Sequence, residues 1–239
     1  MKSIETCVSP DLINLHELAQ KTVVIVDIFR ASSTMVTALS NGVQTIVPVR
    51  DLDECKAYKK EGWLIAGERD GKQAEGFDLG NSPTAYLNQT YAGKNLAMTT
   101  TNGTRAISLA RDQAAEVLIG SFLNLQATAD YLQASTRDVL VLCAGWKGKF
   151  NLEDSLYAGA LSLSLEWKHD CDATLGMESL YEKVSKNLSG FLKNASHAKR
   201  LQNHNLEKDM DFCLDIDHFK SVVFLSGEGL KVKYNENNP

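Results

Sequence analysis

The sequence predicts a layered α/β/α protein built on a mixed, mainly parallel sheet. Three observations carry that prediction. Thr22-Val23-Val24-Ile25-Val26 is an unbroken β-branched run, the pattern of a strand buried on both faces. Comparable apolar runs recur at 45–49, 96–100, 116–120 and 138–143. Between them lie polar loops followed by segments of helical length, and such alternation favours parallel strands joined by crossover helices.

In order, Thr22–Val26 is a strand that runs into the polar turn Asp27–Thr34. Met35–Leu39 is a helix closed by Asn41-Gly42. Thr45–Val49 is a strand, and Leu52–Glu61 a helix with Gly62 at its end. Leu64-Ile65-Ala66 is a short strand opening into a long polar segment, Gly67 to Pro83. Leu96–Thr100 is a strand, followed by the turn Thr101–Arg105 and a helix through Ala115. Glu116–Gly120 is a strand, Ser121–Gln133 a helix, and Asp138–Cys143 a strand. A glycine-rich turn then leads to a helix over Leu152–Leu165. Residues 166–210 read as helical and polar, 222–225 and 230–234 as a terminal pair of strands, and Asn235–Pro239 as a frayed tail. No low-complexity linker divides the chain, so residues 1–239 are expected to form one compact α/β unit, with 166–210 as a helical segment within it.

Composition narrows the function classes. With 44% hydrophobic and 23% charged residues, the chain is an ordinary globular one that needs no disulfide or metal staple to fold. Its net charge of −5 argues against nucleic-acid binding, which draws on a positive face. No run of 18 apolar residues is present and the first residues lack a signal-peptide core, so neither a membrane span nor export is expected. The five cysteines are scattered, without a Cys-x-x-Cys pair, and are expected to be reduced thiols in a cytoplasmic protein.

In a parallel α/β sheet, ligands bind beyond the carboxyl ends of the strands. Four polar loops hold that position here: 27–34, 67–82, 99–105 and 143–154. The loop Thr99-Thr100-Thr101-Asn102-Gly103-Thr104-Arg105 has the hydroxyls, glycine and helix-start amides that suit a phosphate or another oxyanion, with Arg105 as a two-point contact. Read plainly, it is also an ordinary capped turn. It lacks the GxxxxGK[ST] spacing of a Walker A loop. Asp27, at the end of a buried strand, suits a divalent cation, a nucleophile or an ion pair with Arg30. Phe29 stands where an Asp-x-Asp phosphatase has its second acid. Glu68, Asp78, Glu153 and Asp154 are hard oxygen donors suited to Mg²⁺, although Glu153 and Asp154 equally suit the charge preference of a helix start. Cys143 begins a Cys-x₅-Lys segment ending at Lys149, without the arginine clamp of cysteine phosphatases, and is read as structural. The five histidines lie outside these loops.

Taken together, Val26–Thr34, Ala66–Arg69, Gly76-Phe77-Asp78-Leu79-Gly80-Asn81-Ser82-Pro83, Thr99–Arg105, Gly120–Asn124, Cys143–Gly145 and Leu152–Asp154 resemble the 2-phosphosulfolactate phosphatase family in order and spacing. A weaker match runs on through Ser196-His197 and from Asp209 to Cys213. The resemblance implies an α/β fold and Mg²⁺-dependent hydrolysis of 2-phospho-3-sulfolactate to 3-sulfolactate and phosphate. It implies a catalytic set of Asp27, Arg30, Glu68 and Arg105, and metal ligands among Asp27, Glu68, Asp78, Glu153 and Asp154. Substrate contacts are expected from Thr100, Thr101, Asn102, Gly103, Thr104 and Arg105 at the phosphoryl end, and from Arg30 and Arg69 at the sulfonate or carboxylate end. Lys147 is a lesser candidate. The expected partner is a small anionic substrate, with a homodimer as one admissible assembly. Three alternatives stand beside this reading: attack by Asp27 itself rather than by water, another small phosphorylated acid as substrate, and a non-catalytic anion-binding protein.

Overall fold

The computed structural model describes residues 2–69, 71–88, 90–202 and 206–234. The tail 235–239, expected to fray, and His204 lie outside them. Among the described residues, ten strands and nine α-helices follow one another as β1 (Ile4–Cys7), β2 (Thr22–Val26), α1 (Ala31–Ser40), β3 (Thr45–Pro48), α2 (Leu52–Lys60), β4 (Leu64–Arg69), β5 (Lys72–Gln73), β6 (Asn95–Thr99), α3 (Gly103–Ala110), β7 (Glu116–Gly120), α4 (Leu125–Ala134), β8 (Val139–Cys143), α5 (Leu152–Leu165), α6 (Asp172–Val184), α7 (Leu188–Leu192), α8 (Ser196–Gln202), α9 (Glu207–Cys213), β9 (Ser221–Ser226) and β10 (Gly229–Tyr234).

All ten strands share one sheet, in the order β1-β8-β2-β7-β9-β10-β3-β6-β4-β5. The expected α/β/α layering is visible in β2. Val23 and Ile25 point into one apolar cluster with Met35, Leu39 and Ile107, while Val24 and Val26 point into another with Leu156, Tyr157 and Leu161. Helices α1 and α3 therefore cover one face and α5 the other, which is why this strand has no polar side. A smaller cluster of Val47, Ile65, Ala97, Cys55 and Phe77 lies under α2. Helix α6 lies against α5 at Gly159, where a Cβ would stand 2.3 Å from the Met177 carbonyl oxygen, so only glycine fits.

The sheet contains two parallel blocks, β1-β8-β2-β7 and β3-β6-β4. The expected terminal strand pair does not extend an edge. It inserts between the blocks, antiparallel to β7 on one side and to β3 on the other. Three antiparallel pairings reverse the second block relative to the first. Residues at the carboxyl ends of both blocks nevertheless border the same cavity: Asp27 after β2, and Glu68 and Thr100 at the ends of β4 and β6.

Several short segments were not anticipated. Strand β1 is only four residues long and pairs parallel with β8 at one sheet edge, and the two-residue strand β5 pairs antiparallel with β4 at the other. The 3₁₀ turn Pro10–Leu15 is capped by the Ser9 hydroxyl, which accepts from the Asp11 amide. All are too short to show a period. Among the described residues of 166–210, helix begins at Asp172 and is divided among α6, α7, α8 and the first half of α9.

Candidate active site

The cavity at the strand ends has a volume of about 250 Å³. Strand ends and the loops after them contribute Asp27, Phe29, Arg30, Glu68, Gly71, Asn81, Thr100, Thr101, Asn102 and Trp146, and α8 adds His197, Arg200 and Leu201. A space of this size suits a small acid rather than a drug-sized ligand.

Asp27 leaves β2 into the turn before α1. Among the described residues, its carboxylate accepts only the long bond from the Ala31 amide, 3.5 Å. Gly103 begins α3 against it: a Cβ there would lie 2.7 Å from the Ala31 Cβ and 3.1 Å from Asp27 Oδ2. The missing side chain lets the helix start approach the acid. Burial pushes the Asp27 carboxyl up to about 6. His197 and the Ala31 amide oppose that shift, and the Glu68 and Glu153 charges reinforce it. Glu68, on β4, is held by the Gly71 amide at 2.6 Å.

Behind Asp27, Asp154 accepts from the Ile28 amide (2.8 Å), the Gly145 amide (3.0 Å) and Asn151 Nδ2 (2.9 Å). It thereby ties the end of β2 to the loop after β8. Burial, together with the Asp27 and Glu153 charges, pushes its pKa well up. Both Asp154 oxygens are occupied by protein donors, so this carboxylate braces the site and does not line it. Glu153 Oε1 contacts His197 Nδ1 at 2.6 Å and accepts from Asn151 at 3.1 Å, while its Oε2 is buried without a partner among the described residues. Since Nδ1 of His197 faces Glu153, Nε2 is the nitrogen left for the cavity.

The loop after β6 divides its work. Thr100 and Thr104 exchange hydroxyl–amide bonds of 3.2 and 3.3 Å and so cap α3. Thr101 and Asn102 face the cavity beside Thr100. Asn102 Oδ1 also accepts from the Lys147 amide at 3.0 Å, which joins this loop to the one after β8. Arg30 pairs with buried Asp209 and donates to the Gly71 carbonyl at 3.2 Å. Asp209 also accepts from Ser82 (2.8 Å) and Thr84 (2.6 Å), so the Asn81-Ser82-Pro83 segment is fastened to α9 through it.

Four expectations need correction. Asp78 is not at the cavity: Lys59 Nζ binds it at 2.7 Å and the Ile65 amide at 3.0 Å, so it braces β4. Arg105 points away and pairs with Asp11 at 2.6 Å, because α3 turns that face toward the 3₁₀ segment. Arg69 folds back and donates to the carbonyl of the preceding residue, Glu68, at 2.6 Å, and reaches Thr99 Oγ1 at 3.4 Å, outside the cavity lining. Asp154 is a brace, as described above. Cys143 is buried as expected, and burial with the Asp154 charge pushes its thiol well above its ordinary range, which disfavours the thiolate.

Sequence reasoning kept His197 and marked Asp209, but it passed over Trp146, Arg200 and Asn81 as individual residues. The available signal for Arg200 was its place three residues after His197, on the same face of a helix.

The Mg²⁺ expectation can be tested on the donors themselves. Among the described residues, no three His, Cys, Asp or Glu side chains form a ready cage. Mg²⁺ rarely needs one, since it takes one or two carboxylates and fills its other positions with water and substrate oxygens. Asp27 and Glu68 on the cavity lining, with the orphaned Glu153 Oε2 nearby, fit that requirement.

A family described as 2-phosphosulpholactate phosphatase matches residues 7–228, a span that contains every residue of the cavity. A probable 2-phosphosulfolactate phosphatase from Thermotoga petrophila is 44% identical over 205 residues, covering 86% of this chain and 89% of that protein. Proteins of the same description from Caldanaerobacter subterraneus (37% over 226 residues; 92% and 93% covered) and a Picosynechococcus strain (38% over 221 residues; 88% and 90% covered) are also similar. The chain belongs to the 2-phosphosulfolactate phosphatase family, whose members are phosphoric monoester hydrolases.

Proposed function

We propose that this protein hydrolyses 2-phospho-3-sulfolactate to 3-sulfolactate and phosphate in an Mg²⁺-dependent reaction. The observation that carries the reading is the convergence of Asp27, Glu68 and the Thr100–Asn102 turn on one small cavity, in a chain of this family. The substrate carries about four negative charges at neutral pH. A chain of net −5 must therefore concentrate positive charge locally.

In this mechanism Thr101, Asn102 and the start of α3 hold the phosphoryl oxygens. Asp27 and Glu68 would hold the Mg²⁺, which when bound neutralises phosphoryl charge and makes water a better nucleophile. Glu153 fixes the ring of His197, so that Nε2 is presented for a proton transfer to the departing alkoxide oxygen. Arg30, fastened by Asp209, keeps the Asp27 turn and the loop after β4 in place. Phe29, Trp146 and Leu201 exclude water from the cavity. Positioning and charge stabilisation are the main demands of phosphoryl transfer, and no exotic nucleophile is required.

Among the described residues, no helix is long and apolar enough to cross a membrane. The proposal places the enzyme in the cytoplasm, a reading supported by five free thiols.

The test is phosphate release from 2-phospho-3-sulfolactate, 2-phospholactate and an aryl phosphate, each with Mg²⁺ and with EDTA. Fast Mg²⁺-dependent release from the sulfonate compound alone is the expected result. Equal rates on all three would leave a phosphatase with another substrate, and no release from any would leave an anion-binding protein.

A further inference from the structure

Two arginines line the cavity, and they differ in one respect. Arg30 is engaged by Asp209 and the Gly71 carbonyl. In Arg200, Nε and Nη2 are buried and have no hydrogen-bond partner among the described residues. These two nitrogens form one edge of the guanidinium, the edge that grips an oxyanion through two parallel N–H bonds. The group lies over the Trp146 indole, 4.3 Å from the ring centroid. Stacking of this kind fixes the plane of an arginine and leaves its edge free. Trp146 is itself packed by His197, with ring centroids 5.2 Å apart, so the platform is anchored to the Glu153–His197 pair. Buried donors left unpaired are costly, and an anionic ligand supplies what this edge lacks.

We propose that Arg200, held flat on Trp146, is the sulfonate receptor of the site and sets its preference for a sulfonate-bearing phospho-acid. The inference rests on the phosphosulfolactate reading above and deepens it. The phosphoryl group belongs with the strand-end residues. In 2-phospho-3-sulfolactate, the carboxylate is attached to the carbon that bears the phosphoester, and the sulfonate sits one carbon farther out. The sulfonate is thus the group that extends toward α8. It is a weakly hydrated, permanently ionised anion, and guanidinium is the more weakly hydrated of the two protein cations. The apolar surface of Trp146, Phe29 and Leu201 beside it suits such a pair.

The experiment compares wild type, Arg200→Gln and Arg200→Lys on 2-phospho-3-sulfolactate and on 2-phospholactate, which differs only in lacking the sulfonate. The readout is the ratio of the two kcat/KM values, together with inhibition by 3-sulfolactate. Arg200→Gln is expected to lower the ratio about 10- to 100-fold, mainly through KM, and to weaken inhibition in parallel. Arg200→Lys keeps the charge but loses the two-point edge, and falls between. Loss of both activities in equal proportion, or an unchanged ratio, would overturn the assignment. A wild-type enzyme inactive on both compounds would instead remove the functional reading and this inference with it, an outcome visible before any variant is made.

Discussion

The cavity has two walls of different construction. One is made by strand ends: Asp27 after β2, Glu68 on β4, and Thr100–Asn102 after β6. Its residues leave strands buried on both faces, and Asp154 and Gly103 bring the loops together from behind. The other wall is made by α8, a helix of seven residues, with Trp146 from the loop after β8. There the side chains hold one another: Glu153 holds His197, His197 packs on Trp146, and Trp146 carries Arg200. The difference separates two tasks. On the proposed mechanism, the strand-end wall concentrates carboxylates and oxyanion donors for the phosphoryl chemistry, and the helical wall offers a cation and an aromatic surface to read the rest of the substrate.

The largest expected effect tests the strand-end wall. Asp27→Asn should lower kcat by three orders of magnitude or so, as loss of a group that acts directly in the reaction does. The same variant should be more stable than wild type when both are metal-free at pH 7.5. Burial, reinforced by the Glu68 and Glu153 charges, holds the folded Asp27 carboxyl at about 6, above its unfolded value near 3.8. The folded chain therefore binds this proton more tightly than the unfolded chain. The carboxylate costs stability above pH 6, and the cost disappears as pH falls below 4. Each pKa unit corresponds to about 1.4 kcal/mol, so the gain from Asn is a few kcal/mol at most, seen as a higher Tm with EDTA present. The gap should close at pH 4. A variant less stable than wild type across this range would mean that the carboxylate is already compensated by a cation, and the contrast between the walls would fail.

The next effect belongs to the helical wall. His197→Gln retains a polar side chain but cannot hold a transferable proton at Nε2. About a 100-fold loss in kcat, with KM changed much less, is expected from removal of a general acid. A loss confined to KM would make His197 only a support for Trp146 and Arg200, and both functions of this wall would then reduce to binding. Pre-steady-state phosphate release separates the two outcomes.

The same contrast explains what was legible in the sequence. Strand-end chemistry is written in contiguous motifs, because a strand, its loop and the next helix start are neighbours in the chain. Asp27, Glu68 and Thr100–Asn102 could be read for that reason. Most strands were plain from unbroken apolar runs, and β1 (Ile-Glu-Thr-Cys) and β5 (Lys-Gln) escaped because neither contains one. The helical wall is assembled from positions 146, 153, 197 and 200, which only tertiary packing unites. Arg200 lies in a polar stretch that resembles any solvated helix, and its role depends on a ring more than fifty residues away. The insertion of β9 and β10 between the parallel blocks was hidden for a similar reason. The runs announce strands, whereas pairing partners depend on which edges remain open once the crossover helices are in place. Asp78 and Arg105 show the converse, since each lies within a recognisable motif yet is claimed by a neighbour, Lys59 or Asp11, that the motif does not include.

Arg105 gives the smallest expected effect and the finest test of the boundary between motif and site. It follows the glycine that approaches Asp27 by only two residues, and in sequence it is the natural clamp for a phosphoryl group. In the fold, Nη2 meets Asp11 Oδ1 at 2.6 Å, with both side chains about half exposed. An exposed pair of this kind is worth about 1 kcal/mol or less. Arg105→Ala should therefore leave kcat/KM within about twofold of wild type, the range of a surface substitution, and barely move Tm. A fall of tenfold or more, restored by Asp11→Ala in no measure, would mean that Arg105 leaves Asp11 when substrate binds and closes over the phosphoryl end. The strand-end wall would then include a mobile cation, and the division between a rigid catalytic wall and an adaptable reading wall would have to be redrawn through α3.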